Sequence, residues 1–474
     1  MSRGQRLSAL DNSFLQLEGW ATHMHVGACA VFEGTAPAYA DLLATIEARL
    51  QLLPRYRQRL ASVPLGQGRP VWVDDPQFRL PFHVRHTALP RPGSDEQLRR
   101  LAARIFSQAL DRGRPLWELW LIEGVAGGRF ALLSKTHHAL VDGVSGLDIA
   151  SVLFDTGPEP LPLRAPPQPW APGPLPSAAQ LLADALVERA TRPAAVLDGL
   201  GELLRGPRGP GAVLGRAGSA LSGLGALTWA GLDPAPRSPF NVPIGPHRRF
   251  TWVDASLAEF REVKRGLGTT LNDVVLAAVA SALGRYMRRH ELETEALVLK
   301  ALVPVSIRDP SERGVLGNRI AAMWAPLPVD AGDPLERVRV IARAMAGVKR
   351  SGQAVGAQAL TELAGFASPN LVAQATRLQT RQRLFNLVVT NVPGPQTPLY
   401  ILGRRLLAIY PMVPLAANTA LGVAVLSYDG RLNFGLNADY DALGDVELLA
   451  ADLREAIAEI VRAAGTPASA PASA

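Results

Sequence analysis

Two adjacent histidines, His137 and His138, close the apolar run LLSKTHHALVDG, and Asp142-Gly143 follow at short fixed spacing. The chain has only 8 histidines in 474 residues, so a doublet placed this way is a candidate site. An unperturbed imidazole titrates near ~6.5 and can take a hydroxyl or thiol proton at neutral pH, which is general-base chemistry. Successive residues of a strand face opposite sides, so only one of the pair can enter a given pocket. The same alternation argues against a metal held by both. Gly143 permits a sharp turn after the strand. Asp142 lies too close in the loop to be a catalytic partner and reads as an ion-paired fastener of that loop. The competing reading makes both histidines structural.

The elements that must position the doublet mix strands and helices. LWELWLIEGVAGGRFALLSKTHH (116–138) reads as a hairpin about a Gly-rich turn, with the histidines at its end. MHVGACAVFEG (24–34) reads as a strand, YADLLATIEARLQLLP (39–54) as a helix stopped by Pro54, and residues 94–111 as an amphipathic helix with Ser94 as N-cap. The stretch 143–155 reads as a helix after the motif. A proline-dense segment (156–176), a helical pattern (177–206) and the Gly/Ser-rich run AGSALSGLGALTWAGL (217–232) then form a long crossover. Beyond it, 257–268 and 270–290 are helical in period, the second with Asn272 as N-cap. Residues 296–307 and 384–396 read as strands. Asp429-Gly430 marks a hairpin within 420–443, and 445–464 a last helix. These patterns predict an α/β protein of two facing sandwich domains. Residues 1–156 form the first domain, 157–240 the crossover, 241–466 the second domain and 467–474 a disordered tail.

Composition narrows the function classes. The single cysteine, Cys29, excludes an intrachain disulfide and a cysteine metal cluster, and agrees with a reducing cytoplasm. The net charge of +7 is carried almost wholly by scattered arginines, with lysine only at 135, 264, 300 and 349. No aromatic–basic interleaving accompanies them, which argues against nucleic acid and leaves anionic lipid or a phosphorylated small molecule as partner classes. The N-terminus has no apolar signal-peptide core, and no uncharged apolar run reaches membrane-spanning length. The 217–232 run is a candidate surface contact with lipid or, alternatively, a packed linker.

The H-H-x-x-x-D-G pattern of HHALVDG (137–143) resembles that of the CoA-dependent acyltransferase superfamily, which includes chloramphenicol acetyltransferase-like enzymes and peptide-synthetase condensation domains. LSALDNSFLQLE, MHVGACAVFEG, DRGRPLWELWLIEG, NVPIGPHRRF, LNDVVLAAVASALGRYM, ALVPVSIRDP, GNRI and TNVPGPQTPLY occur in the order seen in the bacterial wax ester synthase/diacylglycerol acyltransferase family. The resemblance runs from about Leu7 to Val461. It implies two chloramphenicol acetyltransferase-like domains with a tunnel between them. It also implies transfer of a long-chain acyl group from acyl-CoA, a co-substrate rather than a bound cofactor, to diacylglycerol or a fatty alcohol.

Carried onto this chain, the resemblance makes His138 the general base, His137 a supporting residue, Asp142 structural and Gly143 the turn former. Asn272, Asp273, Arg308 and Asn391 fall near the tunnel or CoA. Arg308 is placed either opposite Asp142 or on a CoA phosphate. Asn391, Pro393 and Gly394 are expected in a turn beside the tunnel, and Pro115–Trp117 and Gly317–Ile320 in structural blocks. Where many superfamily members read D-F-G, this chain has Asn433-Phe434-Gly435, which would weaken an ion pair made by that aspartate. Insoluble acceptors imply peripheral contact with the inner membrane face or lipid inclusions. A turnover-deficient lipid-binding homologue, or a condensation-type enzyme using a carrier-protein thioester, are the competing readings.

Overall fold

The computed structural model describes residues 4–140, 152–160, 170–188, 234–306, 320–330, 332–350 and 384–465. Asp142, Gly143, Arg308, Gly317, Asn318, Arg319, most of the expected 143–155 helix and the 217–232 run lie outside the described residues.

Two six-stranded mixed sheets dominate. The first runs in the order β12-β13-β2-β7-β6-β5. Its strands are β2 (His25–Phe32), β5 (Val84–Ala88), β6 (Trp117–Val125), β7 (Arg129–His137), β12 (Tyr400–Ile401) and β13 (Arg404–Met412). The second runs β10-β9-β11-β14-β15-β8. It comprises β8 (Arg248–Ser256), β9 (Val298–Ser306), β10 (Ile320–Pro328), β11 (Leu387–Pro393), β14 (Leu421–Tyr428) and β15 (Arg431–Asp439). A small sheet of β1 (Gln5–Arg6), β4 (Val71–Asp74) and β3 (Gln58–Ala61) flanks the first.

The helices cover these sheets. In the first half they are α1 (Ala9–Leu17), α2 (Tyr39–Arg49), the short α3 (Leu80–His83) and α4 (Asp95–Phe106). A helical stretch at 178–188, α5, begins the crossover. The second half has α6 (Leu257–Leu267), α7 (Leu271–Arg289), α8 (Pro334–Arg350) and α9 (Val446–Ala463).

Local chemistry explains most boundaries. Ser94 caps α4 in a reciprocal capping box with Gln97. In the β14–β15 hairpin both Asp429 and Gly430 take positive φ, the backbone a two-residue turn needs. The N-cap of α7 is Thr270, not Asn272: the Thr270 hydroxyl accepts from the Asp273 N–H, and the Asp273 carboxylate accepts from the Thr270 N–H at 2.8 Å. A capping box needs an acid or amide three residues after the cap, and only Thr270 has Asp273 there. α7 is buried along nearly its whole length in the core of the second half, among Leu421, Leu436, Leu449 and Leu453.

The halves are interlocked more deeply than a division at residues 156 and 241 implies. β13, far along the chain, completes the first sheet by pairing with β2, Cys29 opposite Tyr410. β13 also packs against β15, where Gly435 lies so close to Pro411 that a Cβ would overlap its carbonyl oxygen. Phe250 and Trp252 of β8 share a core with Phe106, Leu133 and Tyr410. Trp252 stacks on Tyr410 at 4.3 Å. The histidine doublet stands at the end of β7, in the first sheet.

Candidate active site

The strand that carries the doublet ends one residue earlier than its sequence pattern indicates. His137 is the last residue of β7, paired with His25 of β2, and His138 already belongs to the following turn. The two imidazoles therefore belong to different local structures, one to the strand and one to the turn. His137 is fully buried, whereas His138 is partly open.

His137 is committed to shaping the turn. Its Nδ1 accepts the Ala139 N–H at 3.0 Å, and its carbonyl accepts the Leu140 N–H at 2.9 Å. The His138 N–H donates to the Met24 carbonyl at 2.8 Å, tying the turn to the strand beside it. The His138 ring lies on the Phe14 ring, with centroids 3.9 Å apart and planes 25° from parallel. On the other side of the doublet, Glu18 Oε2 stands 3.7 Å from His137 Nε2. Arg112 holds that same oxygen through Nε at 2.7 Å and Nη2 at 2.5 Å. Burial pushes the Glu18 carboxyl up, but the facing His137 and Arg112 outweigh it and bring it down to about 2.

Beneath the turn the site is densely polar. Lys135 is fully buried two residues before His137. It donates to the carbonyls of Ile105 and Gln108 at 3.1 and 2.8 Å, and Glu118 lies 3.5 Å away. A cation there adds a donor to carbonyls at and just beyond the C-terminus of α4, where the helix dipole favours positive charge. His25 Nε2 donates to the next carbonyl, that of Phe106, at 2.7 Å. Burial and the nearby Lys135 hold its pKa well below the ordinary histidine value. His23 lies parallel to it, centroids 5.6 Å apart, and is also lowered, by burial and by Arg248.

Arg248 is the bracket between the halves. Its guanidinium donates to the Ala21 carbonyl and to the carbonyls of Gly245 and His247 at 2.6 and 2.9 Å, with Asp439 3.7 Å away. Its backbone N–H reaches Ser107 Oγ at 2.8 Å.

The remaining candidates sit elsewhere. Asp273 is buried and its carboxylate is engaged in the α7 capping box, so helix capping accounts for it, and Asn272 lies in the first turn of that helix. Asn391 is not in a turn: it is a strand residue of β11 opposite Val425, and the turn starts after Pro393. Among the described residues, no hydrogen bond or ion pair joins Asn272, Asp273 or Asn391 to the histidine turn. Asn433 is fully buried on β15 directly opposite Asp254 of β8, with no hydrogen-bond partner among the described residues. An aspartate at 433 would place a second, fully buried carboxylate directly across the strand pair from Asp254, which is itself exposed. Desolvation of its carboxyl nonetheless raises the Asp254 pKa, against the Tyr410 hydroxyl that donates to it at 3.1 Å.

Residue-by-residue reading of the sequence passed over Glu18, Phe14, Arg112, His25 and Arg248. One signal was present: Phe14 and Glu18 are four apart at the end of α1, the spacing that puts two side chains on one helix face. They meet His138 and His137 respectively.

Two interlocked mixed sheets and a histidine turn at the end of β7 are an arrangement whose partly open imidazole could exchange a proton with a hydroxyl or thiol. Comparison with known proteins makes the class specific. A family model described as the wax ester synthase/diacylglycerol acyltransferase catalytic domain matches residues 7–275, and one described as the WS/DGAT C-terminal domain matches 316–461. A Mycobacterium bovis protein named as a diacylglycerol O-acyltransferase is 36% identical over 464 residues, spanning 96% of this chain and 95% of its own. The tgs1 protein of Mycobacterium tuberculosis, named for the same activity, matches with the same identity and coverage. The structure of the wax ester synthase/diacylglycerol acyltransferase from Marinobacter aquaeolei VT8 superposes with a TM-score of 0.67 at 29% identity, over 97% of this chain and 100% of that one. The starter condensation domain of rhizomide synthetase shares the fold, with a TM-score of 0.60 at 16% identity over 98% of this chain and 94% of its own. The chain belongs to the wax ester synthase/diacylglycerol acyltransferase family, and it is an acyltransferase.

Proposed function

We propose that the protein transfers a long-chain acyl group from acyl-CoA to the hydroxyl of diacylglycerol or a long-chain alcohol, with His138 as general base. The observation that carries this assignment is the division of labour within the doublet. The buried His137 spends its Nδ1 on the turn, and the partly open His138 is the imidazole held flat on Phe14. Family membership and the relatives named as diacylglycerol O-acyltransferases support the substrate class.

In the step so assigned, His138 takes the acceptor O–H proton as that oxygen attacks the thioester carbonyl. The C–O bond forms, the tetrahedral centre collapses, and the C–S bond breaks. The imidazolium returns its proton to the CoA thiolate. Acyl-CoA is a co-substrate, and every proton movement uses the chain's own imidazole. No acyl-enzyme is required, in keeping with a buried Cys29 whose thiol burial pushes up to about 12.

Because the acceptors are insoluble in water, we place the protein peripherally on the cytoplasmic membrane face or on lipid inclusions. Trp20, 76% exposed two residues beyond Glu18, supports such a contact. Among the described residues no single helix is long and apolar enough to cross a membrane. Thiol release from palmitoyl-CoA, measured with dioleoylglycerol and with hexadecanol, tests the reading. Release that depends on the acceptor supports it, and no release with either acceptor overturns it.

A further inference from the structure

The two residues that α1 turns toward the doublet do different things. Phe14 supplies a flat apolar surface for the base, while Glu18 at the helix C-cap supplies a charge to the other histidine. Because His137 Nδ1 accepts the Ala139 N–H, that nitrogen has no proton in the neutral ring, and the proton resides on Nε2. Nε2 faces the Glu18 carboxylate at 3.7 Å, an ion-pair distance beyond hydrogen-bond range. A negative charge there favours the Nε2–H form over the Nδ1–H form. With the proton on Nδ1, two N–H groups would point at each other across the turn.

We propose that Glu18 is a positioning residue for acyl transfer: its carboxylate fixes the Nε2–H form of His137, which in turn grips the Ala139 amide and sets the turn that presents His138. This rests on His138 being the base. Glu18 is well placed for the task because it is itself held. Arg112 grips its Oε2 twice and also donates to the Leu15 carbonyl at 2.9 Å. The carboxylate thus cannot swing away without releasing the end of α1 that carries Phe14. One helix end controls both the stacking surface of His138 and the protonation pattern of His137.

The test compares Glu18→Leu, Glu18→Gln and His138→Ala in the full-length protein. Palmitoyl-CoA is the donor and dioleoylglycerol in mixed micelles the acceptor, and 15N spectra of histidine-labelled protein are recorded in parallel. Glu18→Leu is expected to lower kcat about 10- to 100-fold, as for other partners that orient a functional histidine, with KM for acyl-CoA changed less than about twofold. Its His137 signal should move from the Nε2–H to the Nδ1–H pattern. Glu18→Gln keeps an oxygen where Arg112 can hold it, so its kcat should lie between those of wild type and Glu18→Leu. If Glu18→Leu proves unfolded by circular dichroism, the intermediate kcat and partial shift of His137 in Glu18→Gln carry the test. A kcat within about twofold of wild type for Glu18→Leu, or a large loss with His137 still in the Nε2–H form, overturns the proposal. Retained thiol release in His138→Ala would instead remove the base assignment, while the His137 spectra would still judge what Glu18 does to the turn.

Discussion

Replacing Arg248 by methionine tests how far the site depends on the joint between the two halves. The guanidinium is 4% exposed and makes its cross-half contact with the carbonyl of Ala21, three residues before Met24, whose carbonyl holds the His138 amide. Burial lowers the Arg248 pKa to about 10 even with Asp439 opposing the change, which marks a charge well removed from water. Methionine fills the aliphatic volume but removes the donors.

The Gly245 and His247 carbonyls belong to the same turn as Arg248, whereas the Ala21 carbonyl loses a partner from the other half and the Asp439 carboxylate one from the neighbouring strand. Removing one member of a buried charged pair costs about 3–5 kcal/mol. Asp439 keeps backbone N–H donors from Gly245, Asp441 and Ala442, so the lower end applies, about 3 kcal/mol. Urea unfolding followed by tryptophan fluorescence measures this, and Arg248→Lys should recover part of the loss, since a single ammonium cannot reach all three carbonyls. In conditions where the variant is folded, kcat should fall as well, because the segment Ala21–Met24 is no longer braced. A loss under about 1 kcal/mol with unchanged kcat would refute the view that this bracket holds the site together.

Other outcomes follow from the same geometry. Cys29, the only cysteine, is fully buried with its thiol raised to about 12, so a thiol reagent at pH 8 should leave the native protein unmodified and label one thiol per chain only in denaturant. Rapid labelling of the native protein would contradict the packing described for β2. Glu18, lowered from 4.5 to about 2, contributes stability that is complete above about pH 5 and disappears as pH falls through that interval. That interval corresponds to at most about 3 kcal/mol, so the stability difference between wild type and Glu18→Gln should be level from pH 6 to about pH 5 and shrink as pH is lowered further toward about pH 2. A difference independent of pH would show that the charge of Glu18 is not what stabilises the fold.

Features governed by neighbouring residues were legible in the sequence. The Ser94 cap, the turn at Asp429-Gly430 and the hairpin leading to the doublet depend on residues a few positions apart, and the structure has them where the pattern puts them, save that the last strand stops at His137. The cap of α7 was misplaced because Thr270 and Asn272 can both cap a helix. Only the reciprocal bond from Asp273 decides between them. The entry of β13 into the first sheet depends on pairing between residues nearly 400 positions apart, Met412 with Gly27, which no local pattern encodes.

The same limit applied at the site. The doublet was visible, but the strand end was not, since the strand stops at His137 and the turn takes over at His138. Glu18 was hidden for another reason: an acidic residue just past a helix end is ordinary on a surface. Only the fold brings it within 3.7 Å of His137 and into the grip of Arg112. Asn433 shows the converse, a departure from the superfamily pattern that is plain in the sequence while its cross-strand neighbour, Asp254, is seen only in the structure.

The central claim is that His138 moves the proton in an acyl transfer from CoA to a hydroxyl. Thiol release from palmitoyl-CoA in the presence of dioleoylglycerol or hexadecanol, compared between wild type and His138→Ala, tests it most directly. The account predicts acceptor-dependent release by wild type, and loss of that release in a variant whose circular dichroism is unchanged. Equal release by the variant would contradict it.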